Sequence, residues 1–162
     1  MEYLDEERLR GVAGWLAFLC IIVLFLSPAR ALITTWKEIS AAESASPELL
    51  ELAAWSRIKL YSWALAIGAS AFSIYTGWRL SSVHKPTSVY LAIAALWILG
   101  PGLALLDAAV ASIAFGVPYL LDAESTRALV QGFVSALVWT IYLSVSRRVR
   151  NTYRPDEGGA PA

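Results

Sequence analysis

The chain has 162 residues, 57% of them hydrophobic and 16% charged, with a mean hydropathy of +0.56. A soluble domain is about a quarter charged, so an ordinary soluble domain is excluded. Thirteen basic residues against 13 acidic ones also exclude a generally basic nucleic-acid binder and an acidic disordered chain. The single Cys20 and single His84 exclude an internal disulfide, a multi-thiolate metal site and a histidine cluster.

The charges cut the chain into spans. Arg10 and Arg30 enclose 19 residues without an ionisable charge, Lys59 and Arg79 another 19, Lys85 and Asp107 a run of 21, and Arg127 and Arg147 a run of 19. A helix rising about 1.5 Å per residue covers roughly 30 Å in such a run, the thickness of a bilayer's hydrocarbon core. The pattern predicts an all-α membrane protein, four transmembrane helices in an antiparallel bundle. Its parts are a cytoplasmic N-terminus at 1–10, a transmembrane domain at 11–154 and a disordered cytoplasmic tail at 155–162. The spans fall at about 11–30, 60–79, 86–107 and 128–146.

The first run competes with a cleaved signal peptide, since Ala29-Arg30-Ala31 resembles a cleavage site. Glu2, Asp5, Glu6 and Glu7 ahead of it argue against that reading, because signal peptides carry a positive start and a shorter apolar core. In the long first outer loop, Ser46-Pro47-Glu48 has the form of a helix start: a capping hydroxyl, a proline at the first helical position and an acid near the positive dipole end. A short amphipathic helix on the outer surface is expected there, running toward the second span. The connection from Arg79 to Lys85 is tight, which makes spans two and three antiparallel neighbours. Gly116 to Ser125 carries Gly and Pro breakers and forms the second outer loop.

Three spans carry small residues at every fourth position: Ala69, Ser73 and Gly77; Ala104, Ala108, Ser112 and Gly116; Gly132, Ala136, Thr140 and Ser144. Lipid supplies little hydrophobic drive between helices, so such rows permit close backbone packing, within the bundle or across a homodimer seam. A faint duplication aligns Phe25-Leu26-Ser27-Pro28 with Ile98-Leu99-Gly100-Pro101. It implies two parallel helical hairpins related by an axis along the membrane normal. Pro101 inside a span is expected to kink its helix.

Orientation follows from Lys and Arg in the flanks. One side receives Arg8, Arg10, Arg79, Lys85, Arg147, Arg148, Arg150 and Arg154; the other receives Arg30, Lys37, Arg57, Lys59 and Arg127. The denser side is cytoplasmic by the positive-inside rule, which places both termini there. Trp15, Tyr75, Trp78 and Tyr90 then mark the inner interface. Trp36, Trp55, Tyr61, Trp63 and Tyr119 mark the outer one, and Trp97 and Trp139 lie deeper, between helices.

No enzyme motif or cofactor box is present. Asp107 reaches the outer interface, where Arg30 is the first choice for an ion-pair partner; solvation of each separately is the alternative. Gln131 is expected to hydrogen-bond a neighbouring helix, and Cys20 to behave as a small apolar residue. Arg147, Arg148 and Arg150 are candidates for contact with anionic headgroups or a protein partner.

Gly14-Trp15-Leu16-Ala17-Phe18 leading to Leu26-Ser27-Pro28, and the closing Ser146-Arg147-Arg148-Val149-Arg150-Asn151-Thr152-Tyr153, resemble the opening and closing motifs of a bacterial membrane family, the domain-of-unknown-function 2569 family. That resemblance implies a bacterial integral membrane protein of four spans and carries no catalytic residue. The expectation is therefore a multi-pass protein of the bacterial cytoplasmic membrane, non-enzymatic and without cofactors. It would act as an accessory or scaffold on the lipid bilayer, with other membrane proteins or a second copy as partners and no nucleic acid. A subunit of an oligomeric transporter or channel is the alternative.

Overall fold

The computed structural model describes residues 11–115 and 123–153. The expected N-terminus at 1–10, the tail at 155–162 and residues 116–122 of the second outer loop lie outside them; the last three residues of that expected loop, 123–125, already belong to a helix. The described residues form helices and short connections, with no strand among them.

Gly11 and Gly14 adopt φ of +92° and +58°, a left-handed backbone that glycine enters without a Cβ penalty. Gly14 thereby turns the chain into α1, Trp15–Ile21. A π-turn, Ile22–Leu26, joins α1 to α2, Ser27–Ala45, so that one helix runs from Trp15 to Ala45. Pro28 explains the π-turn: it has no N–H to donate, and the helix widens by one residue just before it. Ser73 donates its hydroxyl to the Val23 carbonyl inside the turn at 2.6 Å, and Ser70 reaches the Pro28 carbonyl at 3.5 Å. Side-chain hydroxyls of this kind let a proline persist in an apolar helix.

The first outer loop corrects the expectation of a separate surface helix. Thirty-one residues span about 46 Å, so α2 projects well beyond the 30 Å that the uncharged run requires. Alanines among Lys37, Glu38, Ser40, Glu43 and Ser44 sustain the helix. It stops at Ser46, which is extended (φ −142°, ψ 82°) as a residue before proline prefers. Only a 3-10 turn, Pro47–Glu51, follows, and Ser46 makes no side-chain cap. The chain then enters α3, Ala53–Ser82, which pairs with α2 more extensively than any other two elements pair.

After the tight connection at 83–85, α4, Pro86–Trp97, continues through a second π-turn, Ile98–Gly102, into α5, Leu103–Phe115. Pro101 lies buried inside that turn. The helix α6, Ala123–Val145, packs on α4 and on the π-turn, and α7, Arg147–Tyr153, closes the chain.

Trp15–Ala45, Pro86–Val110 and Ser125–Val145 are long and apolar enough to cross a membrane. Of the small-residue rows, Ser73, Gly77, Ala108 and Ala136 are buried, whereas Ser144 is exposed. Gly77 lies against Leu24, and Gly132 meets the backbone of Gly100 and Pro101. The largest apolar core gathers Leu16, Leu19, Cys20, Val23, Leu80, Val89, Ala92, Leu143, Val149 and Tyr153 at the α7 end. Trp97 and Trp139 pack between helices, as their depth implied. Trp97 donates to the Thr140 hydroxyl at 3.1 Å, and Trp139 contacts the rings of Trp15, Phe18 and Tyr142.

Candidate functional site

The polar string that ends the chain does two things at once. In α7, Val149, Thr152 and Tyr153 are buried, whereas Arg147 and Arg150 are exposed and Arg148 is half-buried. The apolar spacing i, i+3, i+4 puts one face of this short helix on the bundle and leaves the guanidinium groups around it. The Tyr153 hydroxyl donates to the Leu80 carbonyl near the end of α3. Its ring lies 5.8 Å from the His84 imidazole in the 83–85 connection. Burial, with Cys20 adding to it, pushes this phenol above its usual range, so it stays a proton donor. Thr152 accepts the Gly11 N–H at 3.1 Å.

The opening and closing motifs of the chain therefore meet in space, across the end of α3. The sequence marked Arg147, Arg148 and Arg150 as the contact residues; the structure adds Val149, Thr152 and Tyr153 as the plug that holds them in place. The signal was available in the helical spacing of those three residues, but the surrounding charge obscured it.

The other end of the molecule holds Arg30 and Asp107. The structure does not bring them within ion-pairing distance. Asp107 is exposed on α5, and Arg30 instead shares a cleft of about 570 Å³ with Ala123, Arg127, Ala128 and Gln131 of α6. Gln131 lines this cleft rather than bonding a described helix. Farther out, the projecting parts of α2 and α3 are clasped by Glu43. Its carboxylate accepts from the Lys59 ammonium at 2.8 Å and from the Trp55 indole N–H at 3.0 Å. Among the described residues no group of three His, Cys, Asp or Glu side chains is placed to hold a metal ion.

A third feature lies on the face where α6 meets α4 and α5. Trp97, Pro101, Leu105, Val130, Phe133 and Val134 border an almost wholly apolar groove of about 510 Å³. Phe133 stands edge-on to Trp97, their ring centres 5.1 Å apart.

No curated protein and no solved structure proved similar to the chain. A family model does match, over residues 9–154, and its span takes in both end motifs and every helix described above. The chain belongs to the family described as Protein of unknown function (DUF2569).

Proposed function

We propose that this is a four-span protein of the bacterial cytoplasmic membrane, an antiparallel bundle with both termini in the cytoplasm. It works by association with other membrane proteins, as a non-enzymatic accessory or scaffold. The helix α3 is the added span. Its 30 residues cover about 45 Å. Between Lys59 and Arg79, the hydroxyl residues Ser70, Ser73 and Thr76 are buried, so the lipid-facing side of that stretch is more apolar than its composition. Ser70 and Ser73 also spend their hydroxyls on the carbonyls of Pro28 and Val23.

The observation that carries the association reading is the apolar groove beside Trp97 and Phe133. Ser73, Gly77, Ala108 and Ala136 are buried, so the helices pack closely where these residues lie. The groove remains uncovered, with Phe133 49% and Val130 54% exposed. In a bilayer such a groove faces lipid, and a partner helix would enter it by close packing rather than by hydrophobic drive.

Complementation in a strain with a deletion phenotype, at matched abundance, tests this reading. Phe133→Ala and Val130→Ala should abolish function and strip off a co-purifying membrane protein while the bundle's thermal stability stays close to wild type. Asp107→Asn, His84→Gln and Cys20→Ala should retain function. Loss of function in the Asp107, His84 or Cys20 variants, with the groove variants active, would replace association by transport or catalysis.

A further inference from the structure

We propose that the cleft formed by Arg30 of α2 and Arg127 and Gln131 of α6 holds the headgroup of an anionic phospholipid. The inference rests on the membrane-spanning reading and not on the accessory role.

The first support is charge. Arg30 and Arg127 line one cleft, and none of the described residues that line it with them is a carboxylate. Two guanidinium groups on one cleft repel each other, and an anion between them removes that repulsion. Glu43 is engaged elsewhere by Lys59 and Trp55, and Asp107 lies outside the lining. Guanidinium groups bind phosphate oxygens through paired N–H donors, a geometry lysine does not reproduce. The Gln131 amide adds a further donor for a headgroup oxygen. Ala123 and Ala128 leave the floor open, and about 570 Å³ is within the range of small-ligand sites.

The second support is depth. Arg30 ends the uncharged run that begins at Gly11, and Arg127 opens the run that begins at Ala128. Both guanidinium groups thus stand at the edge of the hydrocarbon core, the level of lipid phosphates.

The third support selects a lipid over a free anion. Helical spacing puts Arg127, Gln131, Val134, Val138, Ile141 and Val145 on one stripe of α6. Val134, Val138, Ile141 and Val145 are 52%, 56%, 55% and 74% exposed. The stripe is cationic and polar at the rim and apolar below it. A phospholipid has the same profile, its headgroup at the cleft and its acyl chain along the valines.

Native mass spectrometry of the full chain in mild detergent, titrated separately with phosphatidylglycerol, phosphatidylcholine and inorganic phosphate, tests the proposal. Phosphatidylglycerol should bind at least about tenfold tighter than phosphatidylcholine. Arg30→Gln and Arg127→Gln should each weaken it about tenfold, the effect of one lost charge-assisted contact. Arg30→Lys should recover part of the loss. Lys37→Gln, an exposed cation outside the cleft, should change nothing. Thermal melts of each variant identify any that fail to fold, and the lysine variant keeps the comparison interpretable in that case. Equal affinity for the two lipids, a loss as large in Lys37→Gln as in Arg30→Gln, or displacement of phosphatidylglycerol by inorganic phosphate would each overturn the proposal. A chain that does not span the membrane would instead be exposed by topology reporters.

Discussion

Glycines 77 and 132 act through the side chain they lack. A Cβ at Gly77 would stand 2.7 Å from Leu24 Cγ and 3.1 Å from the Leu24 backbone nitrogen. One at Gly132 would stand 3.2 Å from Gly100 C and from Pro101 N. At both positions backbone atoms are among the nearest neighbours, and backbone cannot give without parting two helices. Gly132→Ala should therefore cost about 1–3 kcal/mol, the usual penalty of overpacking. Gly77→Ala should cost at least as much, since its Cβ meets the Leu24 backbone as closely and Leu24 Cγ more closely still. Gly68 has nothing within 4 Å, so Gly68→Ala should be neutral or gain up to about 1 kcal/mol of helix propensity. Unfolding in detergent across the three variants checks the order; equal stability of Gly132→Ala and Gly68→Ala would show that the close approach is unimportant. These positions were legible in the sequence because small residues at every fourth position have one physical use in lipid. Tyr153 was not legible in the same way. A tyrosine after four arginine-flanked positions reads as an interfacial anchor, and only the fold brings the Leu80 carbonyl to its hydroxyl.

At the scale of elements, three of the four uncharged runs fall on helices long and apolar enough to cross a membrane, but the runs do not mark where those helices end. Charge marks where hydrocarbon stops, whereas a helix stops where backbone chemistry fails. The helix of the first span therefore passes Arg30 and continues to the turn before Pro47. The projecting hairpin needs its own fastening, and Glu43 supplies it. The Lys59 hydrogen bond, and then that of Trp55, hold the Glu43 carboxyl below its ordinary range. A carboxyl lowered in the fold adds stability above its unfolded pKa and loses it as the pH falls through the folded one. The melting temperature of the wild type should thus exceed that of Glu43→Gln near neutral pH, and the gap should close as the pH drops below the usual carboxylate range. Both partners are partly solvated, at 32% and 27% exposure, so added salt should narrow the gap as well. A gap independent of pH would mean that Glu43 acts by packing alone.

At the scale of the whole molecule, the faint repeat relates the two helical hairpins among the described residues. An offset of 73 residues relates Leu24 to Trp97 and Pro28 to Pro101, and each proline has a π-turn at its position or just before it. On the partner helices an offset of 63 relates Gly77 to Thr140 and brings Ser70 to within one residue of Gly132. Leu24 packs on Gly77, and Trp97 bonds Thr140. Pro28 meets Ser70, and Pro101 meets Gly132. The faint sequence repeat thus falls on residues that touch the partner helix in both hairpins. Repetition of this kind without inversion puts equivalent helices in the same direction, so one measurement of sidedness fixes all of them. Eight basic residues flank the spans at the end that carries α7, against five at the other, and α7 presents Arg147 and Arg150 to the surroundings. Reporters fused after Tyr153 and within 83–85 should be cytoplasmic, and those at Ser46 and Asp122 should be outside. Changing Arg147, Arg148 and Arg150 to Ala should mix the orientations before it lowers the melting temperature, because Val149 and Tyr153 still hold the plug. A reporter after Tyr153 found outside would invert the molecule. A disagreement between the 83–85 and Tyr153 positions would leave the chain with an odd number of crossings between them and remove either the α4–α5 helix or α6 from the set of spans.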